Sequence, residues 1–337
     1  MEVHNRDVFP TPELRQVYEP IAGLLDNPVI DAAFRRHEAA AVRAKALYHR
    51  LGRAGMVLIM ASAVFTVAEA LVLPEFRGRS ALSIILVMLG GLGIGLHVYL
   101  MATGMKTRWL LERFAAERLR SLKFQAYPLA LAASSDTDLV ARVRKFSTDE
   151  TARLAAELNA GEAALRLYAP ARGLSDPAAP RAPASAPLVA AALRAYAELR
   201  ISYQKQFATS EVEALRRAGR GSYTAADILY LLGAGLTVAA LVCKIALPGE
   251  DLASRWIDFL AVSAFILGLG QSIMDNASLS ETSEARYVSY VEAIKDCETA
   301  LAQDQSSFPE TVRRIERIAL EELWQFCQAA NLISYRL

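Results

Sequence analysis

Four stretches of this chain break the usual mixing of apolar and polar positions. Ala54 to Leu73 is an apolar run with one charge, Glu69, and Ser80 to Met105 is longer still, with no formal charge and a single His97. Ile228 to Leu247 carries one charge, Lys244, and Trp256 to Met274 carries one, Asp258. A helix needs about 20 largely apolar residues to cross the hydrocarbon core, and soluble helices of that length carry a polar face. The pattern predicts an all-α integral membrane protein built from two transmembrane hairpins, four spans in all, with long helical extensions. No stretch reads as a strand.

The extensions show the 3.6-residue period of a helix. Helices are expected over Ala32–Arg53, leading directly into the first span, over Thr137–Leu167, over Leu188–Arg217, feeding the third span, and over Asn276–Ala302. Ser307-Phe308-Pro309-Glu310 reads as a capping box opening a final helix to about Asn331. The stretch Gly91 to Arg120 lacks proline and reads as one helix that leaves the membrane and continues as a solvated helix. Its second half offers i,i+4 pairs Arg108–Glu112 and Arg113–Glu117. Leu111, Phe114, Ala115, Leu119 and Leu122 form a stripe that must pack on another helix or a second subunit.

Ala169 to Pro187 is rich in proline and alanine and reads as a flexible or partly extended linker. The chain then divides into an N-terminal segment 1–30, a first hairpin with its helices over 31–168, the linker 169–187, and a second hairpin with its helices over 188–337. The contexts ALVLP and KIALP close the first and third spans, and GLG recurs at Gly91–Gly93 and Gly268–Gly270. These echoes point to an internal duplication offset by about 175 residues.

Lys and Arg cluster before the first span, after the second and before the third, while the hairpin loops carry few. The positive-inside rule then places both termini in the cytoplasm of a multi-pass protein of the inner membrane, with the lipid bilayer as its surroundings.

Composition sharpens this picture. The mean hydropathy is +0.22 and the net charge +1, which argues against nucleic acid as a partner. Three cysteines show no metal spacing, and no phosphate-binding loop, HExxH or GxSxG motif occurs, so no catalytic, cofactor or metal residue is assigned and an enzyme is not expected. The glycines of GLGIG sit inside an apolar helix, so they read as helix packing. Gly91 and Gly95 stand at GxxxG spacing and are candidates for close assembly.

Polar residues inside spans need a reason. Ser62, Thr66 and Glu69 share one face of the first span; Thr237 and Lys244 share one face of the third; His97 and Gln271 lie in the second and fourth. Such stripes suit a pore or an interhelical seam. Glu69 and Lys244 lie at matched depth and are expected to face each other.

Arg108-Trp109, Arg113, Ala116-Glu117, Leu119-Arg120 and Phe124 resemble the signature of the SLATT superfamily, bacterial two-span effector domains in which such a helix follows the hairpin. Arg200 to Tyr223 resembles its entry helix and Ile315 to Gln328 its closing helix, whereas Arg286-Tyr287 stands where the second copy would need Trp. The resemblance implies a homo-oligomer that permeabilises the inner membrane in antiphage defence when a sensor protein or signalling nucleotide activates it. It makes Trp109, Arg113, Phe114 and Glu117 assembly candidates. A constitutive small-ion channel or transporter subunit, and a non-conducting scaffold for a cytosolic partner, are the alternatives.

Overall fold

The computed structural model describes residues 5–72, 81–166, 168–175, 185–246, 251–277, 280–304 and 307–332. The fold is all-helical, and four of its helices are long and apolar enough to cross a membrane. In chain order the helices are α1 Pro12–Val17, α2 Ala22–Leu25, α3 Pro28–Leu71, α4 Ala81–Ala102, α5 Met105–Gln125 and α6 Asp136–Leu158. There follow α7 Glu162–Arg166, α8 Ala186–Tyr196, α9 Tyr203–Ala246, α10 Asp251–Ala277, α11 Ser280–Gln303 and α12 Phe308–Leu332. The span-bearing helices are α3, α4, α9 and α10. Pro74 and Pro248 lie outside the described residues.

Helix boundaries recur along the chain. Both α3 and α9 are 44 residues long. Their first residues, Pro28 and Tyr203, and their last, Leu71 and Ala246, are separated by one and the same offset. That offset also separates the first residues of α5 and α11, Met105 and Ser280.

The chain forms two compact units. One comprises Met1–Arg43, Thr107–Ala214 and Thr282–Asn331; the other comprises Ala44–Lys106, Leu215–Glu281 and Leu332–Leu337. The first is charged and has a large core in which Phe124, Tyr127, Tyr196 and Phe308 pack ring to ring, with centroids 5.6–6.0 Å apart. The second holds the four spans.

Several expectations are corrected. The stretch Gly91–Arg120 is two helices: α4 ends at Ala102, and Gly104 adopts φ +58 before α5 begins. Glycine enters that left-handed region without the Cβ clash that any other L-residue meets. Gly161, also at φ +58, likewise splits the helix expected over Thr137–Leu167 into α6 and α7. The Leu188–Arg217 helix holds a π turn at Ala197–Ser202. The last helix starts at Phe308 as expected, and the Ser307 hydroxyl before it donates to the Asp304 carbonyl (2.6 Å). The Pro/Ala-rich stretch is not all linker: Pro170–Gly173 is a 3-10 turn whose Gly173 is buried, and α8 begins at Ala186. Residues 176–184 lie outside the described residues.

Gly104→Ala should lower stability by about 1–2 kcal/mol, the usual cost of a side chain in left-handed backbone. Gly91→Ala, in a helical position with open space around it, should not. Thermal unfolding of the two variants in detergent checks this.

Candidate functional site

Some polar residues of the spans bridge the two helices of a hairpin, and others bond back to their own helix. In the first, the Ser62 hydroxyl donates to the Leu86 carbonyl across the helix pair (2.9 Å). Glu69 accepts from the Ser83 hydroxyl. His97 Nδ1 lies 3.1 Å from the Gly93 carbonyl, in a buried position against Gly55. Thr66 donates back to the Ser62 carbonyl (2.7 Å), the usual way a hydroxyl is satisfied within a helix. In the second hairpin Thr237 donates to the Gly233 carbonyl (2.8 Å), and Lys244 Nζ pairs with Asp258 (2.7 Å). Gln271 is half-buried in α10. Ser263 is buried there, its hydroxyl without a hydrogen-bond partner among the described residues.

Glu69 and Lys244 therefore do not pair. Each finds its partner on the other helix of its own hairpin, where a short loop guarantees proximity that matched depth alone does not.

Glycines set the seams, though not the ones expected. A Cβ on Gly93 would stand 2.8 Å from the Gly55 carbonyl oxygen, and one on Gly90 2.7 Å from Ser62 Oγ. In the second hairpin Gly268 faces Tyr230 and Gly233 faces Phe265, with such approaches of 3.1–3.3 Å. The two hairpins also touch, because a Cβ on Gly270 would overlap Met60 Sδ. Gly91 and Gly95 meet nothing within 4 Å among the described residues, so they make no close helix approach there.

In the charged unit, α5 is far from a solvated helix. Of its 21 residues, 13 are buried, including Arg118, Arg120, Lys123 and Gln125. Trp109 packs edge-on against Phe326 (6.2 Å between centroids) and Phe114 against Tyr168 (4.7 Å). The chain's own helices thus cover the stripe, and these two rings serve the unit's core. The expected pair Arg113–Glu117 forms (2.6 Å), but Arg113 also holds Glu38 (3.2 Å), and Glu112 pairs with His37 on α3 (2.7 Å).

Residues from distant parts of the chain complete the network. Arg120 contacts Glu117, Asn5 and Asp7. Lys123 Nζ donates to the carbonyls of Val8 and Leu25 and to Asp31, all at 2.6–2.8 Å. Arg200 makes a two-pronged contact with Glu316 (2.8 and 2.7 Å), which also accepts from Tyr196, and its guanidinium lies 4.8 Å from the centre of the Phe124 ring. The π turn buries Leu199, Arg200 and Ile201 in succession, as an extra residue in the turn permits. Asp7 carries no local sequence signal, and Arg200 and Glu316, though they lie in the stretches likened to entry and closing helices, are not marked in sequence as partners. Their partners are remote in sequence, and only the packing of the helices brings them together.

The electrostatics follow the packing. Burial pushes the Glu117 carboxyl up, but the guanidinium groups of Arg113, Arg120 and Arg200 outweigh it and hold it below the ordinary carboxylate value. Burial wins at Glu322, which is raised despite Arg286. Burial also lowers the Lys123 ammonium and raises Asp31, so geometry holds that pair together while burial disfavours both charges. The Cys327 thiol is pushed up to about 12 by burial and is kept as a thiol. Among the described residues no cluster of His, Cys, Asp and Glu could hold a metal ion.

Comparison with known proteins finds no family model, no curated protein and no solved structure that matches the chain.

Arg200→Ala leaves Glu316 buried without its partner and should cost about 3–5 kcal/mol. Arg166→Ala, which breaks an exposed i,i+4 pair with Glu162, should cost about 0.2–1 kcal/mol. Chemical denaturation of the two variants side by side gives the comparison.

The depressed Glu117 adds stability that is fully present above its unfolded value of 4.5 and is lost as pH falls through the lower folded value. Glu117→Gln should therefore lower the melting temperature at about pH 7, and the gap from the unaltered chain should narrow at about pH 3.5. A gap that stays constant over this range would contradict the assignment.

Proposed function

We propose that this is a multi-pass inner-membrane effector with cytoplasmic termini, which works as an assembly of copies and permeabilises the membrane when a sensor engages its charged unit. One observation carries the reading. Ser62, Glu69 and Lys244 find partners across their own hairpins, and Thr66, His97 and Thr237 find them within their own helices, while the outer faces of α4 and α9 are apolar and glycine-containing. Among the described residues a single copy then offers no continuous row of free polar groups, so a route for ions has to form between copies. The resemblance of the α5 sequence and its neighbours to SLATT domains supplies the expectation of a bacterial defence effector. The charged unit supports it by offering a closely packed, charge-paired helix cluster suited to receiving a protein partner or signalling molecule.

The same observation favours a second reading. If the seams serve only to hold the helices together, the protein is a membrane scaffold for a cytosolic partner and conducts nothing.

Induced expression in a bacterium carrying a membrane-potential dye separates the two. The effector reading expects growth arrest and depolarisation, and more than one copy per particle by light scattering in detergent. Accumulation of the chain in the membrane with potential and growth intact supports the scaffold.

The orientation rests on the Lys/Arg asymmetry. Arg77→Cys and Glu250→Cys, placed in the two hairpin loops, should react with an impermeant thiol reagent added outside spheroplasts. Labelling only after the membrane is opened would reverse the topology.

A further inference from the structure

The repeat extends from helix boundaries to contacts. Gly93 packs on position 55 in the first hairpin, and Gly268 packs on position 230 in the second. Both members of the first contact map onto both members of the second by the offset that relates α3 to α9. This contact within the hairpin is thus made twice, once at each of two equivalent places.

The contact between hairpins is made once. Met60 on α3 lies against Gly270 on α10. Under the same offset Met60 corresponds to Gly235 on α9, and Gly270 corresponds to Gly95 on α4. Both equivalents are exposed glycines, and neither has anything within 4 Å among the described residues. One chain therefore presents two halves of a contact that it satisfies only once, and the unsatisfied halves lie on different hairpins.

We infer that a second copy of this chain completes the contact, with the Gly235 face of α9 in one copy against the Gly95 face of α4 in the next. The surface is heterologous: it joins unlike patches head to tail and propagates until it closes into a ring. Two glycines opposite each other let the backbones approach more closely than Met60 and Gly270 allow, which favours helix association in lipid. Apolar side chains flank both positions, Leu92 and Ile94 beside one and Leu231 and Val238 beside the other, each more than half exposed. The inference rests on the assembly reading above and names its surface.

Cysteine cross-linking in native membranes tests it. In a chain with Cys243, Cys297 and Cys327 replaced by alanine, Gly95→Cys and Gly235→Cys are introduced singly and together, then oxidised. The double variant should give a ladder of more than two copies, each single variant should stay uncross-linked, and the two single variants co-expressed should give dimers only. A dimer from one single variant alone would reveal a like-to-like contact and overturn the head-to-tail surface. Particles of several copies without any cross-link would overturn the surface and leave the assembly reading standing. Single-copy particles from the chain with its native cysteines would overturn both. In that same chain Gly95→Leu and Gly235→Leu should each reduce the particle to fewer copies, and unchanged size in both would also sink the surface.

Discussion

The two-pronged contact of Arg200 with Glu316 exposes the constraint under which the charged unit is built. Arg113, Arg118, Arg120, Lys123, Arg200 and Arg286 are drawn into one helical cluster, and an ion moved out of water costs several kcal/mol unless its partner and hydrogen bonds are already in place. The irregular parts of the unit answer that demand. The non-helical turn at Asn5–Phe9 brings Asp7 and the Val8 carbonyl to Arg120 and Lys123. The π turn brings Arg200 to Glu316, and the first helical turn of α3 brings Asp31 to Lys123. Charges of this kind add little net stability, but they tolerate few alternative packings, because each misplaced helix strands an ion.

In the spans the governing quantity is volume rather than charge. Water is absent, apolar surface gains little by leaving lipid for protein, and close backbone approach becomes the main source of attraction. Gly55, Gly90 and Gly93 in one hairpin and Gly233 and Gly268 in the other let the helices near each other, and Ser62 and His97 lie against Gly90 and Gly55 in the first. The hairpin supplies each of Ser62, Glu69 and Lys244 with a polar partner on its facing helix.

How far the sequence speaks can be judged residue by residue. The spans are legible because length and apolarity are one-dimensional properties, and the repeated ALVLP-like and GLG contexts announce the recurrence of helix boundaries. The break at Gly104 is not legible, since glycine permits the left-handed turn without demanding it. Arg113–Glu117 looks the same in sequence on a wet surface or inside a cluster, and only distant partners such as Glu38 decide which. Gly91 and Gly95 have the spacing of a packing motif, yet the face that packs within the chain is the one bearing Gly90 and Gly93. Glu69 and Lys244 share a depth, but depth does not specify azimuth.

The offset that relates α3 to α9 carries Glu69 onto Lys244, and it carries Ser83 onto Asp258. The two polar contacts at this end of the hairpins are therefore one contact written in two chemistries: a carboxylate with a hydroxyl in the first, an ammonium with a carboxylate in the second. Each helix accepts its own mate and rejects the other's. Were α3 to take α10 in place of α4 as its hairpin mate, Glu69 would meet Asp258 and two acids would share one site in lipid. Were α9 to take α4 in place of α10 as its hairpin mate, Lys244 would meet only the Ser83 hydroxyl and its charge would go uncompensated. Shape alone would not prevent such an exchange, since α3 and α9 match in length and the contacts Gly93 with Gly55 and Gly268 with Tyr230 occupy equivalent places. The altered pair acts as a key cut differently in each hairpin, matching each long helix to the mate that follows it in the chain.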